Sequence, residues 1–426
     1  MPSAATDATP PFCRSNTDGM KILISAFALA PNVGSEGGVS WHWASELAKN
    51  NQVTIITDAS RRLLIEETCI SPPKNVTIIY FRPYWLRGIT LNSSTSQLLY
   101  TAWQFFLFPC AHRLHRRHHF DLAIHLSYSV FRHPCFLGYL GIPFVFGPLG
   151  GGEDAPWSLK KSIRGREKLK ELLRFIANKT ALFDPFLWLA YARATLILTS
   201  TEQTRRALPW PFRKRAVVYP NLGIDTRPDQ KPNARLQNEP LRVLFAGRLV
   251  GWKGVHLAIL AIAQAKRKGT NVELSIIGKG PFESELKTIC ATTGVVDSIR
   301  WLGYRSQAEL FAIYCSMHGF IFPSLHDSGG TVILEAQSFG LPIICLDIGG
   351  PATLVTPETA FIVGTHGRNE AEVVDQLADA VQELAASETK RIEMGWAAIV
   401  HASKNMSWSS RVEGLMALVR GTVRGT

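Results

Sequence analysis

Asp327 and Glu335 stand eight positions apart in "LHDSGGTVILEAQS", and Ser328, Gly329 and Gly330 follow the first acid. Two carboxylates flanking bare backbone suit a ligand that is both anionic and rich in hydroxyls. If a helix begins near Thr331, its unpaired N–H groups face the glycine loop and make an anion site, with a diphosphate as the natural guest. Asp327 at the loop mouth would then accept hydrogen bonds from a polyhydroxylated group, and Glu335, about two turns into the helix, from another pair of hydroxyls such as those of a ribose. The same pattern also describes a helix-capping aspartate followed by a solvated helix acid.

A second group lies in "VLFAGRLVGWKGVHLAI", where Arg248 and Lys253 leave a strand end among Gly247, Gly251 and Gly254. Two fixed cations beside a diphosphate would neutralise a leaving group as it gathers charge. Surface salt bridges are the plainer use of such residues.

These loops need rigid elements behind them. Short apolar runs alternate with helical patterns along the chain, the pattern of βαβ units whose helices cover both faces of a parallel sheet. "KILISAFA", "VTIIT", "VTIIYF", "LAIHLS", "PFVFGPL", "ATLILTS" and "AVVYP" form a first series within 20–225. The polar, proline-bearing 226–240 reads as a linker. A second series, with "VLFAG", "VELSIIG", "IRWLG", "FIFPS", "PIICLD" and "AFIV", fills 241–405, and 406–426 reads as a helix returning toward the first domain. Residues 1–19 lack an apolar core and read as a disordered tail. The expectation is an α/β chain of two Rossmann-like domains that face each other across a cleft, with ligands at the carboxyl ends of the strands.

The chain has 426 residues, 46% of them apolar and 19% charged, which suits a folded protein of two domains and excludes a disordered one. A formal charge of +12 favours anionic partners: nucleotide phosphates, nucleic acid or an anionic membrane. The seven cysteines form no C-x-x-C pair, which suggests reduced thiols, a cytoplasmic location and no zinc site.

"GRLVGWKG", "IIGKGPFESEL", "IRWLGYRSQAEL" and "FPSLHDSGGTVILEAQSFGLPIICLDIGG" occur in that order and together resemble the donor domain of retaining glycosyltransferases of the GT-B fold, family 4. Asp327 and Glu335 match the family's pattern of two acids separated by seven residues. In the first domain, "PNVGSEGGVSWHWASELAK" is similar to the family's glycine-rich loop. By that resemblance Gly34, Gly37 and Gly38 would admit the donor phosphate or the acceptor, and Glu36 would face the cleft; a plain tight turn is the alternative. His125, in "IHLSYSVFRHP", matches a strand-end histidine that touches the donor sugar in many members, although a buried structural histidine fits as well. "GIPFVFGPLGGGED" resembles another cleft loop, which would put Gly151 and Glu153 on the acceptor side. One departure is Asp327 itself, where the family usually has glutamate; its carboxylate is drawn in by about 1.5 Å.

The resemblance implies transfer of a sugar from a nucleotide diphosphate to an acceptor hydroxyl, with retention. It implies no cofactor beyond the donor and no metal: Arg248, Lys253 and the N–H groups near Gly330 and Thr331 would stand in for a divalent ion. No nucleophile is assigned.

Residues 160–179 carry eight lysines or arginines against two glutamates, with Leu169, Leu172, Leu173 and Ile176 at helical spacing. Such a helix either lies on anionic lipid or packs its apolar stripe against the sheet. With the aromatic and basic "WQFFLFPCAHRLHRRHHF", it points to a peripheral membrane protein with a lipid-linked or sugar acceptor. The histidines of that stretch are spread around a helix and read as no metal site. Competing readings are a nucleic-acid binder, for which no recognised module appears, a dinucleotide oxidoreductase, for which no G-x-G-x-x-G loop with its acid appears, and a GT-B epimerase or phosphorylase.

Overall fold

The computed structural model describes residues 19–31, 36–68, 72–86, 89, 96–161, 165–227, 229–236 and 238–424. The expected tail, save Gly19, and Gly34 lie outside them.

The first sheet has seven strands: β1 (Lys21–Ala26), β2 (Gln52–Asp58), β3 (Val76–Phe81), β4 (Leu122–Ser127), β5 (Phe144–Leu149), β6 (Leu196–Thr199) and β7 (Ala216–Val218). Their spatial order is β3-β2-β1-β4-β5-β6-β7. The second has six: β8 (Leu241–Ala246), β9 (Val272–Ile277), β10 (Ile299–Gly303), β11 (Gly319–Phe322), β12 (Ile343–Leu346) and β13 (Ala360–Val363), in the order β10-β9-β8-β11-β12-β13. The described strand pairings are parallel. In each sheet the order reverses beside the first strand, at β1/β4 and β8/β11, and ligands of open α/β sheets bind at such switch points.

Continuous apolar runs become strands because helices cover both faces. In β1, Ile22 and Ile24 pack into one cluster with Trp43 of the Glu36–Leu47 helix, whereas Leu23 packs into another with Tyr100 and Trp103 of the Ser96–His118 helix. The second sheet is enclosed in the same way, with Phe245, Phe320 and Ile344 fully buried.

Two connections set the domains relative to each other. The C-terminal helix (Trp408–Arg424) lies on the first domain: Trp408 stacks on His42 at 4.8 Å between ring centres, and the Arg411 guanidinium lies 3.6 Å from the ring centre of Tyr219. The segment between the sheets has no helix or strand among its described residues but is closely held. Pro232 packs against Gly340 and Gly395, and Arg235 donates to the carbonyls of Glu239 at 2.7 Å and Ala385 at 2.9 Å.

Gly254 closes the short turn Gly251–Lys253 after β8 in the left-handed conformation, φ +72°, and a Cβ there would stand 1.9 Å from the carbonyl oxygen of Pro323. Glycine is therefore required by conformation and by contact. Gly254→Ala should destabilise the protein by more than about 1 kcal/mol, read as a lower urea midpoint; an unchanged midpoint would mean that the two loops are not locked together.

Candidate functional site

Two loops leave the carboxyl ends of β8 and β11 and are tied to each other. The Trp252 carbonyl accepts from the Leu325 N–H at 2.8 Å and from the Ser324 hydroxyl at 3.3 Å. The rings of Trp252 and His326 stack at 4.4 Å. Within this frame Lys253 reaches across and pairs with the Asp327 carboxylate, its ammonium 4.6 Å from the Trp252 ring centre and 5.0 Å from that of Phe322. Arg248 is exposed, and among the described residues no hydrogen bond or ion pair engages its side chain. The two cations thus share one edge in different states: Lys253 is neutralised by Asp327, and Arg248 is open. An anion entering here would compete with Asp327 for Lys253.

The glycines of this edge divide by what a side chain would meet. A Cβ on Gly278 would stand 1.8 Å from the Gly247 carbonyl oxygen and one on Gly280 2.1 Å from that of Leu249, so packing alone demands them. A Cβ on Gly247 would meet only ordinary contacts, 3.6 Å from Phe245 and Phe322. Bare backbone there leaves space above the strand end rather than relieving a clash.

After β11, Gly330 at φ +135° turns the chain into the Thr331–Ser338 helix. The Gly350 N–H donates to the Asp327 carbonyl at 2.6 Å, and a Cβ on Gly350 would lie 2.4 Å from the Gly329 carbonyl oxygen. Ser328 abuts Gly150 of the first domain, where a Cβ would be 2.6 Å away. Glu335 is not the solvated helix acid of the plainer reading. It is neither solvated nor bare, being buried with its carboxylate taking bonds from Gln307 Nε2 at 3.1 Å and the Tyr314 hydroxyl at 3.3 Å. Burial raises its pKa, opposed by those two bonds and by Arg227. A ribose would meet it beside Gln307.

The first domain corrects three expectations. His125, expected to touch the donor sugar, is fully enclosed within β4: Nε2 is 2.9 Å from the Tyr100 hydroxyl and Nδ1 is 3.2 Å from Ser25 Oγ. Burial pushes its pKa down to about 4, so it is a neutral core histidine, and the structural alternative holds. Glu153 is buried, accepting from the hydroxyls of Thr201 at 2.7 Å and Thr204 at 2.6 Å and from the Gly151 N–H at 2.8 Å. Held by these three bonds, it shapes the 150–153 loop, with Gly151 at φ +90°. Gly37 and Gly38 lie in the first helical turn rather than in a loop. Gly37 backs onto Ala30, whose N–H donates to its carbonyl at 3.1 Å.

Glu36, at the start of that helix, is open to solvent yet crowded by protein on most sides. The crowding pushes its carboxyl up to about 7 against a hydrogen bond from Ser129. The Ser129 carbonyl in turn accepts from the Gly150 N–H at 2.6 Å, and Gly150 touches Ser328. Glu36 is therefore linked, contact by contact, to the loop that carries Asp327.

The basic helix spans Gly165–Thr180, and its apolar stripe is not packed: Leu169 is 56% exposed, Leu172 44%, Leu173 56% and Ile176 47%. Its inner side carries Glu167 and Glu171, which reach the second domain at Gly251 and His326. The sequence reading missed this. The available signal was that the only two acids of a basic run stand four residues apart, on one face of a helix. No helix among the described residues is long and apolar enough to cross a membrane.

Comparison with known proteins agrees with the fold. Residues 226–400 match the family model of glycosyl transferases group 1. A D-inositol 3-phosphate glycosyltransferase of Corynebacterium diphtheriae is 27% identical over 217 residues, 47% of this chain and 49% of that protein. A GDP-mannose-dependent alpha-(1-6)-phosphatidylinositol monomannoside mannosyltransferase of Mycobacterium tuberculosis is 29% identical over 225 residues, 48% of this chain and 56% of that one. The chain thus matches about half the length of these relatives. Among solved structures, sucrose-phosphate synthase from Thermosynechococcus elongatus superposes with a TM-score of 0.63 over 96% of this chain and 100% of its own, at 16% identity, a likeness of fold alone. The chain has the GT-B fold, and its residues 226–400 are similar to the glycosyl transferases group 1 family.

Proposed function

We propose that the protein transfers a sugar from a nucleotide diphosphate sugar to an acceptor hydroxyl, with retention and without a metal ion. The observation that carries this reading is the meeting of Lys253 and Asp327 on the loops leaving β8 and β11, at the switch point of the second sheet. The family match over that domain supports it. The diphosphate lies against Arg248, Lys253 and the N–H groups at Gly330 and Thr331, and displaces Asp327 from Lys253. The freed Asp327 accepts from the sugar hydroxyls, and Glu335 with Gln307 holds the ribose. As the bond from the anomeric carbon to the phosphate oxygen breaks, the cations take up the charge. The acceptor oxygen attacks from the face the phosphate leaves. Glu36, as the carboxylate, orients the acceptor hydroxyl and takes its proton as the new bond forms; His125 and Glu153 take no part beyond shaping the first domain.

The acceptor, in this reading, is lipid-linked, and the protein works on an anionic membrane surface. The exposed stripe of the basic helix favours it, as do the exposed Phe183, Phe186 and Leu189 that follow and the lysines 168, 170 and 179 that flank it. One of the relatives is named for a phosphatidylinositol mannoside acceptor.

A panel of nucleotide sugars, UDP- and GDP-linked among them, should yield one that raises the melting temperature and is turned over; with that donor, Lys253→Ala should lower turnover well over tenfold, since one preorganised contact to developing charge is worth about 2.7–4 kcal/mol. Normal turnover in the variant would remove Lys253 from the site. Glu36 accepts a proton from the acceptor hydroxyl only as the carboxylate, whose fraction grows as pH rises through about 7. kcat/KM for the acceptor should therefore climb across that range in the native protein and be flat in Glu36→Gln, and matching profiles would exclude this role. Co-flotation with phosphatidylserine vesicles should fall about tenfold or more in Leu172→Ser/Leu173→Ser, because each leucine buried in lipid is worth about 1.5–3 kcal/mol. Native protein that floats with neither anionic nor neutral vesicles would contradict the membrane reading.

A further inference from the structure

Glu167 and Glu171 stand one turn apart on the inner side of the basic helix and belong to the first domain, yet each ends on a donor loop of the second. Glu167 Oε2 accepts from the Gly251 N–H at 3.1 Å. Glu171 Oε1 lies 2.9 Å from His326 Nε2, a contact that falls short of a straight hydrogen bond, with the two side chains 7% and 14% exposed. Its other oxygen takes Lys160 at 2.9 Å and Arg174 at 3.0 Å. Burial opposes ionisation of Glu171, but His326, Arg174 and Lys160 outweigh it and hold the carboxyl well below its ordinary range.

The gripped points are not arbitrary. Gly251 precedes Lys253 by two residues and opens the turn that Gly254 closes against Pro323. His326 precedes Asp327 and stacks on Trp252, which lies between Gly251 and Lys253. The helix therefore holds both ends of the unit that presents Lys253 and Asp327 to the cleft, while touching neither of them.

We propose that Glu167 and Glu171 are positioning residues for the donor site: from the first domain they set the two loops so that Lys253 and Asp327 meet the diphosphate in register. This rests on the reading of those loops as the nucleotide-sugar site. Neither acid touches substrate, so their loss weakens donor binding more than it slows the bound complex.

The test uses the full-length protein and the variants Glu167→Ala, Glu167→Gln, Glu171→Gln and His326→Phe. The donor KM should rise about tenfold in Glu167→Ala and in Glu171→Gln, the size expected for one charge-assisted contact, with kcat within about twofold of native. Glu167→Gln keeps an acceptor for the Gly251 N–H and should restore the native KM. His326→Phe keeps the ring against Trp252, and its effect should not add to that of Glu171→Gln. Amide hydrogen exchange gives a second readout that needs no turnover: 248–254 and 323–330 should exchange faster in Glu167→Ala and Glu171→Gln and as in native protein in Glu167→Gln. Native exchange in those segments, native KM in Glu167→Ala, or additive effects of Glu171→Gln and His326→Phe would each overturn the proposal. A native protein that binds no nucleotide sugar would sink the proposed activity, and the exchange measurement would still decide whether the helix sets the loops.

Discussion

The cleft depends on how closely backbone can approach backbone where the two sheets present their carboxyl ends to each other. Ser328 meets Gly150 across the domain boundary, Gly350 meets Gly329 beneath it, and Gly254 meets Pro323 beside it, at separations that leave no room for a Cβ. Each contact removes a degree of freedom from a loop that would otherwise wander, because loop backbone is costly to order and has few contacts of its own. The interdomain bond from the Gly349 N–H to Gln203 Oε1, at 3.0 Å, acts in the same sense. Fixed loops allow a lysine and an aspartate from separate strands to occupy one point. Electrostatic assistance to a leaving group needs that fixity, since dipoles and charges that must first reorganise lose much of their value.

Lys253 pairs with Asp327, both largely sheltered and each beside aromatic surface. An unpaired ammonium there would be expensive, so the aspartate holds the place that a diphosphate would take. The shortness of aspartate fits the arrangement: drawn closer to its own backbone, it meets a lysine that rises from the neighbouring strand end. In the proposed function, binding is an exchange of anionic partners, with Arg248 as the cation that needs no exchange.

Much of the fold was legible in the sequence because both sheets are covered on both faces, and fully buried parallel strands leave uninterrupted apolar runs such as "KILISA" and "LAIHLS". The second-domain loops were legible for a related reason: glycines and charges at strand ends form local patterns a few residues long. The first domain was harder. His125 and Glu153 lie in motifs that resemble cleft loops, yet one is closed in by Tyr100 and Ser25 and the other by Thr201, Thr204 and Gly151. Those partners come from distant parts of the chain, and no local spacing announces them. A polar residue near a strand end says little about whether its side chain faces the cleft or the core, and in both cases the core took it.

The basic helix shows how far a composition argument goes before geometry must take over. Its charge and its leucines suggested two mutually exclusive fates for the apolar stripe, and exposure of Leu169, Leu172, Leu173 and Ile176 removes the one in which it packs on the sheet. What composition hid was the opposite side, where the two glutamates looked like relief from repulsion among lysines. Glu171 in fact closes a buried cluster with Lys160, Arg174, Asp154 and His326. Such clusters add little net stability, because desolvation offsets much of the attraction, but removal of one member strands the charge of the others. The cluster therefore tolerates few alternative arrangements, and it joins a surface-facing helix of one domain to the loop that presents Asp327 in the other.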